Sequence, residues 1–495
     1  MKPVHTFLFF FYAQMSFGVG VNFEQIMEKM INEKNYLDAL YLTLTSWEEK
    51  KVNRQYSKNV KVLKSRNTYI NKNELQLERR GVKALLSHYK MTLDYYFNDK
   101  EFSCRMPALN MYFNYKTGLN KKCNEKKLPY ILSSDREHLR TLRPEKIYSI
   151  EYVLADEGEA FMSRWGHSML RIVVCAPFRI KNNEKCLEDT SYHLFFSFRG
   201  DVTDQNINSL KGLIGTYKSR IYIHTFEEIK SEYIEGELRD LKSLELNLSY
   251  YEKELVVGKI FQDFWGYEGS YKFLNQNCAT EMADILSIVS ILRAGKRLES
   301  FTPKGLFEEL GNTLNNTNFD FQNIQDNDGT YKISSKLNWY KNTITKINNT
   351  FDLDLDFEQV TGQWSPQHRK ELFEKLVTKH KIQDILLKSH FLILEKRAQF
   401  LTLKKMKKLL IEDIVSRDES LNNKMMELLN LGSFSNQLKQ IEYGIPTSKE
   451  LEKFKSIRSH LSSSLFLHMS EEMKNIFHAV NKQHQINIKI FTEQN

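Results

Sequence analysis

One cysteine and one histidine stand out as residues able to do covalent chemistry together. Residues 271–280 read YKFLNQNCAT, which puts Cys278 directly after Asn277. Asparagine is a good N-cap, because its side-chain oxygen accepts a hydrogen bond from a free backbone N–H. Met282, Ile285, Val289 and Leu292 follow at helical spacing on the face of Cys278. A thiol at a helix start feels the positive end of the dipole and unpaired N–H groups, both of which favour the nucleophilic thiolate. Far upstream, SRWGHSMLRI (residues 163–172) reads as a turn running into a strand and carries His167. A Cys and a His, distant in sequence but able to meet in a fold, make a candidate nucleophile and base. Without such a partner, a cysteine at an apolar helix start is usually a small core residue.

The cysteine pattern and the N-terminus bear on that choice. Lys2, the apolar run FLFFFY at residues 7–12 and the small residues around Ser16 and Gly18 resemble a short secretory signal over residues 1–20. In an oxidising compartment five cysteines become readable. Cys104 and Cys123 flank one loop, and Cys175 and Cys186 flank another. Local pairing is the expectation among the three connectivities that four cysteines allow, and it leaves Cys278 as the odd thiol. No later apolar run reaches the roughly 18 residues of a membrane span. The expected location is periplasmic or secreted.

The elements that must position these residues follow from periodicity. The chain has 495 residues, 41% of them hydrophobic, which suffices for two or three domains with a large core. Residues 21–145 form a helical N-terminal region, with an irregular stretch at 101–146 marked by Pro107, Pro129 and Pro144. Strand patterns begin at Ile147 with IYSIEYVLA, SMLRIVVCA and YHLFFSFRG, followed by weaker IYIHTF and LKSLELNL. Helical periodicity returns at Tyr250, and Cys278 opens the next helix. Residues 146–300 are thus the candidate catalytic domain and 301–495 a helical C-terminal region. There, Ser365-Pro366 starts a helix and Asp352, Asp354 and Asp356 read as the solvent face of a strand.

Other chemistry is excluded or weak. There is no phosphate loop, GxGxxG or HExxH. Asp326-Asn-Asp328-Gly329 lacks the acidic ends of a calcium loop and reads as a turn. A net charge of +9 from 71 basic and 62 acidic residues is no nucleic-acid footprint, though it suits an anionic envelope surface. Lys404, Lys405, Lys407 and Lys408 form a solvated helix face or, alternatively, a membrane-surface contact.

Ser163-x-x-Gly166-His167-x-x-Leu170-Arg171, followed by Tyr271-x-x-Leu274-x-x-Asn277-Cys278-Ala279-Thr280, resembles the N-terminal periplasmic domain of the Lnb lipoprotein N-acyltransferases. Supporting pieces are Phe196-Ser197-Phe198 with Gly200, the stretch at 210–215, and Arg239-Asp240-Leu241. The resemblance covers roughly residues 146–292, with Arg164-Trp165 between Ser163 and Gly166 as a local departure. It implies an α+β fold: a permuted papain-like, NlpC-type core with an antiparallel sheet and a Cys-bearing helix, flanked by helical regions. In such folds the His strand precedes the Cys helix, as His167 precedes Cys278 here.

What the resemblance implies chemically is acyl transfer through a thioacyl enzyme, with no cofactor or metal. Cys278 is the nucleophile and His167 the base, while Tyr271, Ser163 and Asn277 line the substrate site. Papain-like chemistry needs a third polar group to orient the His ring. His193 is the leading choice, with Ser197 and Asp201 as alternatives. Three readings stay open: a cysteine acyltransferase or lipid-acting hydrolase on an envelope lipid or lipoprotein, an NlpC-type amidase or peptidase on cell-wall or peptide substrates, and a scaffold with a vestigial site. Lnb acyltransferases carry a membrane-spanning C-terminal region, whereas the C-terminal region here reads as polar helices.

Overall fold

A computed structural model describes residues 92–125, 127–130, 140–158, 165–180, 182–201, 217–266, 269–272, 277–294, 296–315, 330–380, 385–417, 444–452 and 471–492. The candidate signal, most of the helical stretch before residue 100, Ser163 and the Asp326 turn lie outside them.

The strand-like runs assemble into one antiparallel sheet of seven strands: β1 (Ile147–Ala155), β2 (His167–Val174), β3 (Leu194–Asp201), β4 (Tyr217–Thr225), β5 (Leu241–Glu245), β6 (Gly269–Tyr271) and β7 (Thr330–Ile333). Their spatial order is β6-β4-β3-β2-β1-β5-β7. Both faces are covered, which explains why β1 and β2 read as almost continuous apolar runs. Alternate residues still point to opposite faces. Tyr152, Leu154, Leu170, Ile172, Phe196 and Phe198 join the main core. Val153, Ala155, Met169 and Phe195 pack on the other face against Ile229, Tyr233 and Ile234 of the helical segment 226–236.

The main core is completed by helices α1 (Pro107–Thr117), α2 (Tyr250–Gly266), α3 (Cys278–Ala294) and α4 (Pro303–Leu314). Two expectations change here. The stretch at 101–146 is not irregular throughout, because Pro107 sits in the first helical turn, where its missing N–H costs nothing. The sheet and core also cross the expected boundary at residue 300. Helix α4 packs on α3, and β7 pairs with β5 in the register Leu241↔Ile333. Short β6 and β7 are too brief to show a period.

A second apolar core is built by α5 (Leu337–Phe351), α6 (Pro366–His380) and α7 (Ile385–Arg417), around Ile347, Phe373 and Phe391. Ser365 caps α6 as expected, accepting from the His368 N–H at 3.1 Å. The expected aspartate strand is absent. Asp352 ends α5 in a left-handed conformation (φ 53°), and Asn348 binds both the N–H and the carbonyl of Leu355. That side chain takes the backbone bonds a strand partner would have made.

Helix α8 (Glu471–Thr492) docks on this core through a buried polar clamp. Arg369 Nε donates to Glu395 at 2.7 Å, His484 Nδ1 lies 2.6 Å from the same carboxylate, and Asn487 donates to it at 3.0 Å. Burial alone would raise the Glu395 carboxyl, but its bonds from His484 and Arg369 hold it below the ordinary value. Glu395→Leu is therefore expected to strand the Arg369 charge and cost about 3–5 kcal/mol. Arg369→Met combined with Glu395→Leu should recover much of that loss. Urea unfolding midpoints of the single and double variants check it, and a double variant no better than the single one would refute it.

Candidate functional site

The start of α3 is fixed by Asn277. Its Oδ1 accepts from the N–H groups of Ala279 (2.9 Å) and Thr280 (3.2 Å), while its own N–H donates to Thr280 Oγ1 (2.9 Å). Its side-chain amide donates to the Phe301 carbonyl at 3.0 Å, tying the cap to the approach to α4. Asn277 is thus a cap, as its position implied. Cys278 is the first residue of α3, is 4% exposed and is the free cysteine among the described residues.

The sulfur lies in a chain of hydrogen bonds. Tyr271 donates its phenol proton to Sγ and accepts the Cys278 backbone N–H. Ser168 bonds to Sγ through both its N–H and its hydroxyl. The Ser168 hydroxyl in turn lies 2.5 Å from Tyr152 Oη, which donates to the Pro303 carbonyl at 2.9 Å. Tyr271 leans on Gly200, where an added Cβ would fall 3.2 Å from the Tyr271 ring. A side chain at residue 200 would force the Tyr271 ring to shift by a few tenths of an ångström.

His167 is placed by the same peptide. Gly166 has φ +78°, and a Cβ there would lie 2.9 Å from the Ala155 carbonyl, so glycine is required for the turn into β2. The Ser168 N–H that points at Sγ belongs to the peptide bond joining His167 to Ser168. A hydrogen bond to sulfur plus one Cα–N span puts the His167 Cα within about 6 Å of Sγ. The side chains of the two residues diverge as strand parity requires. Ser168 faces Cys278, while the His167 ring stacks on Tyr233 at 6.0 Å and 12°. His167 Nε2 is buried and has no hydrogen-bond partner among the described residues.

The electrostatics differ from the expectation at the cysteine. Burial pushes the Cys278 thiol up, and bonds from Ser168 and Tyr271 offset only part of that. The helix start does not prevail over desolvation, so the resting sulfur is a thiol. His167 is held well below the usual imidazole range, first by burial and then by the guanidiniums of Arg199 and Arg239. At rest the Cys278 side chain is a thiol on one face of the sheet, and the His167 ring is neutral on the other, against Tyr233.

His193 is not brought to His167. The pairs Met169↔Ser197 and Ile172↔Leu194 put it level with Val173, six residues along β2 and roughly 20 Å away. There its Nδ1 lies 2.7 Å from Arg171 Nη2, and its Nε2 lies 2.9 Å from the Cys186 carbonyl. Arg171 also pairs with Glu151 at 3.1 Å. His193 braces the loop closed by Cys175–Cys186. Ser197 accepts from Arg199 Nε at 3.1 Å. Asp201 ends β3, and its side chain is not among those described.

The neighbours of His167 are instead Tyr233, Arg199 and Arg239, which sequence reasoning did not single out for this role. Tyr233 lies in a segment whose period is obscured by a π-helical turn at 230–236. The available signal was Arg199, a charge at the end of an otherwise apolar strand. A separate cleft of about 1090 Å³ runs between α1, the loop after it, the outer side of α2 and residues 445–449, and Cys278 is not in its wall.

Both expected disulfides form, Cys104–Cys123 and Cys175–Cys186. Residues 134–308 match the family of the Lnb N-terminal periplasmic domain. No curated protein and no solved structure matches the chain. The family match and the disulfides fit an extracytoplasmic location. Among the described residues no helix is long and apolar enough to cross a membrane.

His193 makes a testable contribution to stability. Burial, and then Arg171, push it down to about 4. Because the unfolded chain holds this proton more readily, stability is complete above about pH 6.5 and falls as pH drops toward about 4. The loss reaches roughly 3 kcal/mol at most. His193→Gln should show a shallower decline in chemical-denaturation stability between pH 6.5 and 4. Parallel curves for both proteins would contradict the neutral, doubly bonded imidazole.

Proposed function

We propose that this protein is an exported cysteine enzyme that transfers or hydrolyses acyl groups at the cell envelope through a thioester on Cys278. The observation that carries the reading is the sulfur at a capped helix start, hydrogen-bonded by the peptide that joins His167 to Ser168. The match of residues 134–308 to the Lnb N-terminal periplasmic domain supports the envelope setting. The order of a His strand before a Cys helix, as in permuted papain-like cores, supports the cysteine chemistry.

In this reading His167 turns toward Sγ and takes the thiol proton. The sulfur lone pair attacks the carbonyl carbon of an ester or amide, and the carbonyl π electrons move onto oxygen. That oxygen replaces the Tyr271 phenol at the Cys278 N–H, which becomes an oxyanion donor. The tetrahedral intermediate collapses, the leaving group takes the proton from the imidazolium, and a thioester remains. An amine or water then attacks the thioester with His167 again as base. An envelope lipid, a lipoprotein or a peptide supplies the acyl group. Tyr271 and Ser168 keep the sulfur oriented between turnovers.

Intact-mass measurement after incubation with envelope lipids and, separately, with cell-wall fragments should reveal a covalent acyl adduct on Cys278. Hydroxylamine should remove it. Cys278→Ser should abolish turnover with the fold unchanged, and His167→Ala should come close to the same loss, since the two act as a unit. A Cys278→Ser variant with full activity would leave the scaffold reading in its place.

A further inference from the structure

The face of the sheet opposite Cys278 carries a half-buried charged cluster that the reaction scheme does not use. At its centre is Arg199 on β3. Its guanidinium forms a two-pronged bond to Glu232, both prongs at 3.0 Å, and its Nη2 also donates to Tyr233 Oη at 3.3 Å. Tyr233 is the ring on which His167 stacks. The β2–β3 pairing ends at Met169↔Ser197, and Arg199 lies two residues past that pair on β3 as His167 does on β2, close enough to act on the imidazole. One guanidinium therefore fixes, through Tyr233, the surface that holds the imidazole.

The groups around His167 come from every neighbouring element. Strand β3 supplies Arg199, and β4 supplies the buried Arg220, directly across from Arg199, and His224, itself buried with an unpartnered Nε2 among the described residues. The helical segment supplies Glu232 and Tyr233, and the turn after it Glu237 and Arg239. Arg239 stacks over the Tyr233 ring at 5.2 Å and donates to the Ala155 carbonyl at 3.1 Å. On the opposite face of the sheet stand Cys278 of α3 and Tyr271 of β6. Arg239 is more buried than its partner Glu237, at 5% against 32% exposed, whereas Arg199 and Glu232 are exposed to a similar degree. Burial disfavours the charged imidazole first, and the two guanidiniums of Arg199 and Arg239 act in the same direction.

We propose that Arg199, clamped by Glu232 and Tyr233, is a positioning residue that keeps His167 in its neutral, proton-accepting form. The inference rests on the reading of Cys278 and His167 as a working pair. It deepens that reading by making the resting enzyme a thiol–imidazole pair that ionises only when substrate arrives. A resting thiolate–imidazolium pair would react with any electrophile. A neutral pair restricts the nucleophile to the moment when an acyl carbonyl fills the site.

The test compares wild type, Arg199→Lys, which keeps the charge, and Arg199→Gln, which removes it. Circular dichroism melts establish that each is folded. With 13C-labelled histidine, the His167 resonance is identified by its loss in His167→Asn. It should stay untitrated between pH 7.5 and 5.5 in wild type and Arg199→Lys. In Arg199→Gln its midpoint should move up toward the ordinary value of about 6.5. A flat His167 signal in folded Arg199→Gln overturns the proposal, and so does Arg199→Lys behaving like Arg199→Gln.

Iodoacetamide alkylation of Cys278 is the second measurement. In wild type the rate should fall about tenfold per pH unit below neutrality, as a thiol requires. In Arg199→Gln a plateau should appear near pH 6, at least about tenfold above wild type, from the new ion pair. If that plateau persists when His167→Asn is added, the Cys278–His167 reading fails, while the resonance titration still decides the role of Arg199.

Discussion

The peptide bond between His167 and Ser168 is the constraint on which the candidate site depends. In a strand, adjacent residues face opposite sides. Here that rule sends the Ser168 hydroxyl toward the sulfur and the imidazole toward Tyr233. The N–H between them is itself bonded to Sγ. The candidate site is therefore built at the end of a strand, where Ser168 meets a helix terminus on one face and His167 meets Tyr233 on the other. Gly166 makes this possible, because its positive φ lets the chain enter β2 without a Cβ striking the Ala155 carbonyl.

The two halves of the site are controlled differently. On the cysteine side, neutral donors surround the sulfur, and desolvation sets its protonation against them. On the histidine side, fixed charges dominate after burial. Tyr271 stands at the junction of sulfur and backbone, with its oxygen on the Cys278 N–H and its proton on Sγ. Gly200 provides the flat wall that keeps the ring there. Small residues on this sheet thus act through what they allow larger ones to reach.

Much of this was legible in the sequence, and the misses have physical causes. The strands from 147 to 245, the cap at Asn277, the helix opening at Cys278 and both disulfides follow from local rules of periodicity, capping and short loop closure. His193 was misplaced as a partner of His167 because strand parity gives the face of a residue but not its level along the neighbouring strand. Only the register Ile172↔Leu194 reveals that it lies at the far end. The helix dipole at Cys278 is a local property legible in sequence, whereas the burial that opposes it depends on elements distant in sequence packing around the thiol. Tyr233 and Glu232 escaped notice since a π-helical turn breaks the 3.6-residue repeat that would have marked their segment.

Strand β7 gives the chain beyond the family match a structural duty. The matched stretch stops at residue 308, yet the outer side of β5 is covered by Thr330–Ile333. Without that cover, β5 would present a row of open N–H and carbonyl groups, the kind of edge along which protein chains zip together. Lys332 adds a charge at this border, pairing with Asp240 at 2.6 Å. The helical region after residue 334 is thereby linked to the seven-stranded sheet by a strand that doubles as a seal, so the two parts cannot be separated at residue 308 without opening the sheet to its own kind.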